Sequence, residues 1–216
     1  MTVSLTKGGN ISLTKQSADS GNTLHKLTIG LGWKEKPSQT SGKPYDLDAS
    51  AFGLDSNGQI VTEDWFVFWG SRLREMTAPA TATEEAKFKM FSPNREITHM
   101  GDNLTGAGDG DDEVIVLDLD IMPAEVAKIV FAVTIYEGKE RGQNFGQVDD
   151  SYIRALDDNG TELAKYELDM EAALETVVTF AELSKRNGEW FLSAKSAAFP
   201  GGFDGLCRQY GVPVAP

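Results

Sequence analysis

Hydrophobic and polar residues alternate along most of this chain in short runs of strand length. "HKLTIGLGW" (25–33) places Leu27, Ile29 and Leu31 on one side and polar or small residues on the other. "WFVFW" (65–69), "EVIVLDL" (113–119), "KIVFAVTIY" (128–136) and "EWFLSAKSAAF" (189–199) are β-branched or aromatic runs of similar length. "SYIRALDDNGTELAKYEL" (151–168) predicts a hairpin, because two alternating runs flank "DDNG", whose Asn159-Gly160 pair suits a tight turn. Helical spacing is rare. Phe203, Leu206, Cys207 and Tyr210 recur at i, i+3, i+4 and i+7, ahead of Gly211 and Pro213, and predict one short helix. "MPAEVAKI" (122–129), with Pro123 at a first-turn position, predicts one or two helical turns.

About ten short strands separated by turn signals imply an all-β fold, a two-sheet antiparallel β-sandwich with a few short helices. A single domain over 1–216 accommodates them. One stretch breaks the pattern. "SRLREMTAPATATEEAKFKM" (71–90), with its Ala/Thr/Pro patch, is expected to be a loop insertion with a helix over 84–91 that contributes little to the fold.

Charge narrows the picture. Thirty-three acids against twenty bases give a net charge of −13, which argues against nucleic acid as a partner. Between Arg95 and Lys128 there is no Lys or Arg, yet nine acids fall there. The densest part, "GDNLTGAGDGDDE" (101–113), sets five carboxylates among four glycines. Asp102, Asp109, Asp111, Asp112 and Glu113 supply hard oxygens, Asn103 an amide oxygen, and glycines let the chain turn sharply, which together suit calcium. The spacing is not that of an EF-hand. "PYDLDASAF" adds Asp46 and Asp48, two residues apart and therefore on one face of a strand. A single cysteine, Cys207, and an amino terminus without a secretory signal lead to the expectation of a cytoplasmic protein.

These motifs have a known counterpart. "KGGNISLTK" (7–15), "IGLGW" (29–33), "DLDASAF" (46–52), "FVF" (66–68), "HMGDNLTGAGDGDDE" (99–113), "FGQVDDSYIR" (145–154) and "GEWFLSAKSAAFPGGFDGLCRQYGV" (188–212) closely resemble the TerD-like tellurite-resistance and stress-protein family. The resemblance covers nearly the whole chain except 71–90. It implies a β-sandwich that binds Ca2+, usually at two sites, with roles in tellurite resistance, chemical-stress tolerance and phage-defence-like phenotypes. Its acidic motifs carry over onto Asp46, Asp48, Asp102, Asn103, Asp109, Asp111, Asp112 and Glu113, and onto the backbone carbonyls of Gly106 and Gly108. One departure bears on the number of sites: after "GLGW" the family usually has Asp, and this chain has Lys34.

The expectation is therefore a non-enzymatic, calcium-binding stress protein with one or two Ca2+ sites and protein partners in a stress-response complex. The alternative is a calcium-dependent docking module for a membrane surface or a protein. A metal-dependent hydrolase ranks behind both, because the two histidines read as structural: His25 as a strand residue and His99 as one that orients the acidic loop. No nucleophile elbow or P-loop is present. Chemistry on tellurite itself is not expected, since one cysteine cannot form a thiol pair.

Overall fold

The computed structural model describes residues 2–35, 45–79, 87–101, 110–167 and 174–214. With strands numbered in chain order, one sheet runs β1 (Val3–Leu5), β12 (Glu162–Glu167), β11 (Val148–Leu156), β3 (Lys26–Glu35), β9 (Glu113–Asp118), β8 (Ile97–His99), β7 (Lys87–Phe91), β6 (Arg74–Ala78). The other runs β2 (Asn10–Ser12), β14 (Glu189–Ala198), β13 (Val177–Arg186), β10 (Lys128–Ile135), β4 (Leu47–Leu54), β5 (Phe66–Val67). Among the described residues every strand pairing is antiparallel except β1 with β12. The fold is the expected two-sheet β-sandwich.

Alternation decides which side chains meet between the sheets. Glu113, Ile115 and Leu117 of β9 are buried, while Val114, Val116 and Asp118 are half-buried. Strand β4 is buried on both faces. Its Leu47, Ala49 and Ala51 join the inter-sheet core, whereas Phe52 and Leu54 join a second cluster with Phe66, Leu206 and Cys207. The helix α3 (Gly202–Gln209) supplies the last two and covers the outer face of the six-stranded sheet. Helix α1 (Leu13–Asp19), unforeseen in the sequence, starts where the Ser12 hydroxyl accepts the Lys15 N–H. A single turn, α2 (Gly138–Arg141), follows β10. Among the described residues no helix is long and apolar enough to cross a membrane.

Three local expectations are corrected. Residues 71–90 are not simply a loop with a helix. Arg74–Ala78 and Lys87–Phe91 form the antiparallel pair β6–β7, which extends the sheet beyond β8, and Met90 is 2% exposed in the core. Residues 80–86 lie outside the described residues. Pro123 opens a hydrogen-bonded turn and not a helix, because Ala127 N–H already donates to Leu54 O as the chain enters β10. In "WFVFW" only Phe66–Val67 pairs as a strand, after a 3-10 turn at Glu63–Trp65.

Candidate functional site

The acidic segments approach the end of the sandwich where β3, β8 and β10 finish and β4 and β9 begin. Glu113 opens β9 on its inward face and is 2% exposed. Its Oε2 accepts the Ala49 N–H of the opposite sheet at 2.7 Å and lies 3.1 Å from His99 Nε2. One buried carboxylate thus ties the two sheets together. The Gly101 N–H donates to His99 Nδ1 at 3.3 Å, so that nitrogen carries the lone pair and Nε2 the proton given to Glu113. Gly101 itself has φ +123°, a backbone conformation that disfavours any other residue.

Asp46 and Asp48 are 8% and 7% exposed. Since Leu47 and Ala49 face the inter-sheet core, the two aspartates share the outer face of the six-stranded sheet. Asp48 stands opposite Thr134 of β10, and the Asp46 carbonyl accepts the Tyr136 N–H at 2.8 Å.

Asp111 and Asp112 go elsewhere. Asp111 lies on the outside of the eight-stranded sheet, where Arg154 Nε and Nη2 grip both its oxygens at 2.8 and 3.1 Å and the Tyr152 hydroxyl donates to it at 3.0 Å. This contact crosses β3 at Gly30, which pairs with Val114 on one side and Arg154 on the other. A Cβ at Gly30 would overlap the Asp111 carboxylate, and one at Gly32 would overlap the Tyr152 ring. The glycines of "IGLGW" are therefore room for this ion pair. Burial, with the bond to Asp111, pushes the Tyr152 phenol up to about 12. Asp112 Oδ2 accepts the Trp33 N–H at 3.0 Å; burial, and secondarily the charge of Asp111, raise its carboxyl despite that bond.

The described carboxylates therefore divide among three directions: outward from one sheet, between the sheets, and outward from the other. Among the described residues no group of three or more His, Cys, Asp or Glu side chains is arranged to hold a metal. Asp102, Asn103, Gly106, Gly108 and Asp109, the middle of the expected ligand set, lie outside the described residues. Lys34 pairs with Asp150 at 3.0 Å, both exposed. His25 sits just before β3, exposed, 2.8 Å from Asp120. Cys207, on the buried face of α3, has its thiol pushed up to about 11 by burial. The Asp111–Arg154–Tyr152 network escaped the sequence reading. Its signals were the i, i+2 spacing of Tyr152 and Arg154 and the paired glycines opposite them.

The family profile described as the TerD domain matches residues 1–210. The chain is 42% identical over 213 residues to tellurium resistance protein TerD of Serratia marcescens, covering 98% of each chain. It is 35% identical over 215 residues to general stress protein 16U of Bacillus subtilis, covering 99% of this chain and 100% of that one. Over 119 residues, 55% of this chain and 86% of the relative, it is 48% identical to chemical-damaging agent resistance protein B of Clostridium acetobutylicum. The crystal structure of a homologue of telluride resistance protein (TerD) from Streptomyces coelicolor A3(2) superposes with a TM-score of 0.60 at 20% identity, covering 89% of this chain and 99% of that one.

Proposed function

The chain belongs to the TerD domain family of tellurium-resistance and stress-response proteins, and from that premise we propose that it is a non-enzymatic, calcium-binding stress protein of the cytoplasm. The observation that carries the calcium reading is the burial of Asp46 and Asp48 side by side at the end of β4. Two carboxylates two residues apart on one face offer adjacent hard oxygens to a single divalent cation. The described ends of the acid-rich segment 101–113, Gly101 and residues 110–113, lie at the same end of the sandwich. In this reading Asp46, Asp48, Asp102, Asn103 and Asp109, with carbonyls of Gly106 and Gly108, hold Ca2+. Glu113 and Asp111 anchor the segment's end: Glu113 to the opposite sheet, Asp111 to Arg154.

The disposition of the reactive side chains supports a non-enzymatic role. His99 is engaged by Glu113 and Gly101, and the Cys207 thiol is buried and reluctant to ionise. A lone buried thiol also offers tellurite no partner. The test is a pair of thermal melts, in EDTA and in millimolar calcium. At free calcium about 100 times the dissociation constant, stabilisation should reach about 2.7 kcal/mol, with a smaller gain in magnesium. Asp48→Asn should shrink the calcium effect. Superimposable melts of the parent protein would refute the assignment.

A further inference from the structure

The outer face of the six-stranded sheet carries a second feature that the acidic end does not explain. Between β4 and β10 on one side and α2 and α3 on the other lies a cavity of about 400 Å³, within the size range of small-molecule sites. Its wall carries four carboxylates, Asp48, Glu137, Glu140 and Asp204, against one ammonium, Lys139. Aromatic rings complete it. Trp69 and Tyr136, 45% and 37% exposed, meet edge to face at 6.2 Å, and Phe68 and Phe203 close the far end.

Two further observations point to a ligand. The Thr134 hydroxyl, in the cavity wall opposite Asp48, is buried and has no hydrogen-bond partner among the described residues. Beside the cavity the same chemistry already holds a cation of the chain: the Arg141 guanidinium, which is not part of the lining, lies 5.0 Å from the Tyr136 ring centre and 3.0 Å from Glu137.

An anion would face Asp48, Glu140 and Asp204 here, Glu137 being paired with Arg141, and a neutral apolar ligand would strip those carboxylates of water without replacing it. A bare metal ion would leave the aromatic walls unused. We propose that this cavity binds a compact organic cation, an alkylammonium or guanidinium group, held by the carboxylates of Asp48, Glu140 and Asp204 and by the Trp69 ring. The cation's source is either a free amine or a lysine or arginine side chain. The inference rests on the cavity and does not require the calcium reading, although Asp48 is common to both.

Calorimetric titration of the full chain tests it, with putrescine, agmatine and a capped lysine tripeptide as probes and 1-butanol as the neutral control. The titrations are made at low salt in EDTA and repeated in millimolar calcium. Saturable binding of the cations without binding of 1-butanol is expected. Trp69→Leu and Asp204→Asn, both at exposed positions, should each weaken binding at least about fivefold. Both variants should keep the parent's circular dichroism and its response to calcium. Binding by the free amines assigns a small-molecule site; binding by the tripeptide alone assigns a protein side chain, and either upholds the proposal. Failure of every cation to bind, or equal affinity in parent and both variants, overturns it. Amine binding in a protein whose melts ignore calcium would defeat the calcium reading alone.

Discussion

At the scale of single residues, the environment of a carboxylate matters more than its presence. Asp111 stands in the densest acidic stretch of the chain, yet its immediate partners are Arg154 and Tyr152. Asp111→Ala should therefore destabilise the protein by about 2 kcal/mol in EDTA, since it strips charge-assisted bonds from a largely buried pair. Urea unfolding of the calcium-free protein checks this; an unchanged or higher midpoint would show Asp111 to be a repelling surface acid instead. Cys207 gives a second prediction. Its thiol, held near 11 in the fold against 9.0 when unperturbed, stays protonated while the unfolded chain ionises. The unfolded state then binds fewer protons, so this contribution is intact below about pH 9 and is lost as pH rises to about 11, at up to about 1.4 kcal/mol per pH unit. Tyr152 and Tyr210 also titrate late, so the comparison is between parent and Cys207→Ala, whose stability should fall less steeply over that window.

At the scale of elements, the hairpin at 151–168 and the pair β6–β7 show how local chemistry sets a strand's ends. Asp157 accepts the N–H groups of Asn159 and Thr161 at 2.9 Å each and the side chain of Asn22 at 2.8 Å, and Gly160 takes φ +75°. Burial acts to raise the Asp157 carboxyl, but these bonds outweigh it and hold the group below its usual range. The β6–β7 pair has less local signal and more tertiary consequence. Met90 reaches the core from β7, and β7 covers the edge of β8. Met90→Ala should cost about 2–5 kcal/mol, and replacing all of 71–90 with a flexible linker should cost at least as much. Shortening only 80–86 should leave the melting temperature nearly unchanged, because the length of chain joining two paired strands enters stability weakly. Thermal melts of the three variants decide whether this region is part of the sandwich or an appendage.

At the scale of the whole molecule, two sheets held by apolar contact acquire a directional link in Glu113. Glu113→Ala should leave the Ala49 N–H and the His99 N–H buried without their acceptor, costing about 3 kcal/mol, whereas Glu113→Gln should lose less because its amide oxygen still accepts one bond. Equal losses from the two variants would show that shape and not hydrogen bonding matters there. Much of this architecture was legible in the chain. Alternation at Leu27, Ile29 and Leu31 and along 113–119 is a local property of the backbone, and so is the spacing of Phe203, Leu206, Cys207 and Tyr210 that formed α3. The same period put Asp46 and Asp48 on one face. What alternation cannot carry is the identity of the neighbour across the sheet. Arg154 meets Asp111 because β11 and β9 flank β3, and the contact passes over a glycine 81 positions from the one and 124 from the other in sequence (111 − 30 and 154 − 30). Likewise β7, short and rich in lysine, became a strand because β8 offered an unpaired edge and the core had a place for Met90. The sandwich class and the candidate acids were thus set by the sequence alone, through side-chain period and charge. Which carboxylate faces an arginine, a backbone amide or a cavity was decided only by strand order, because those partners meet through space and not along the chain.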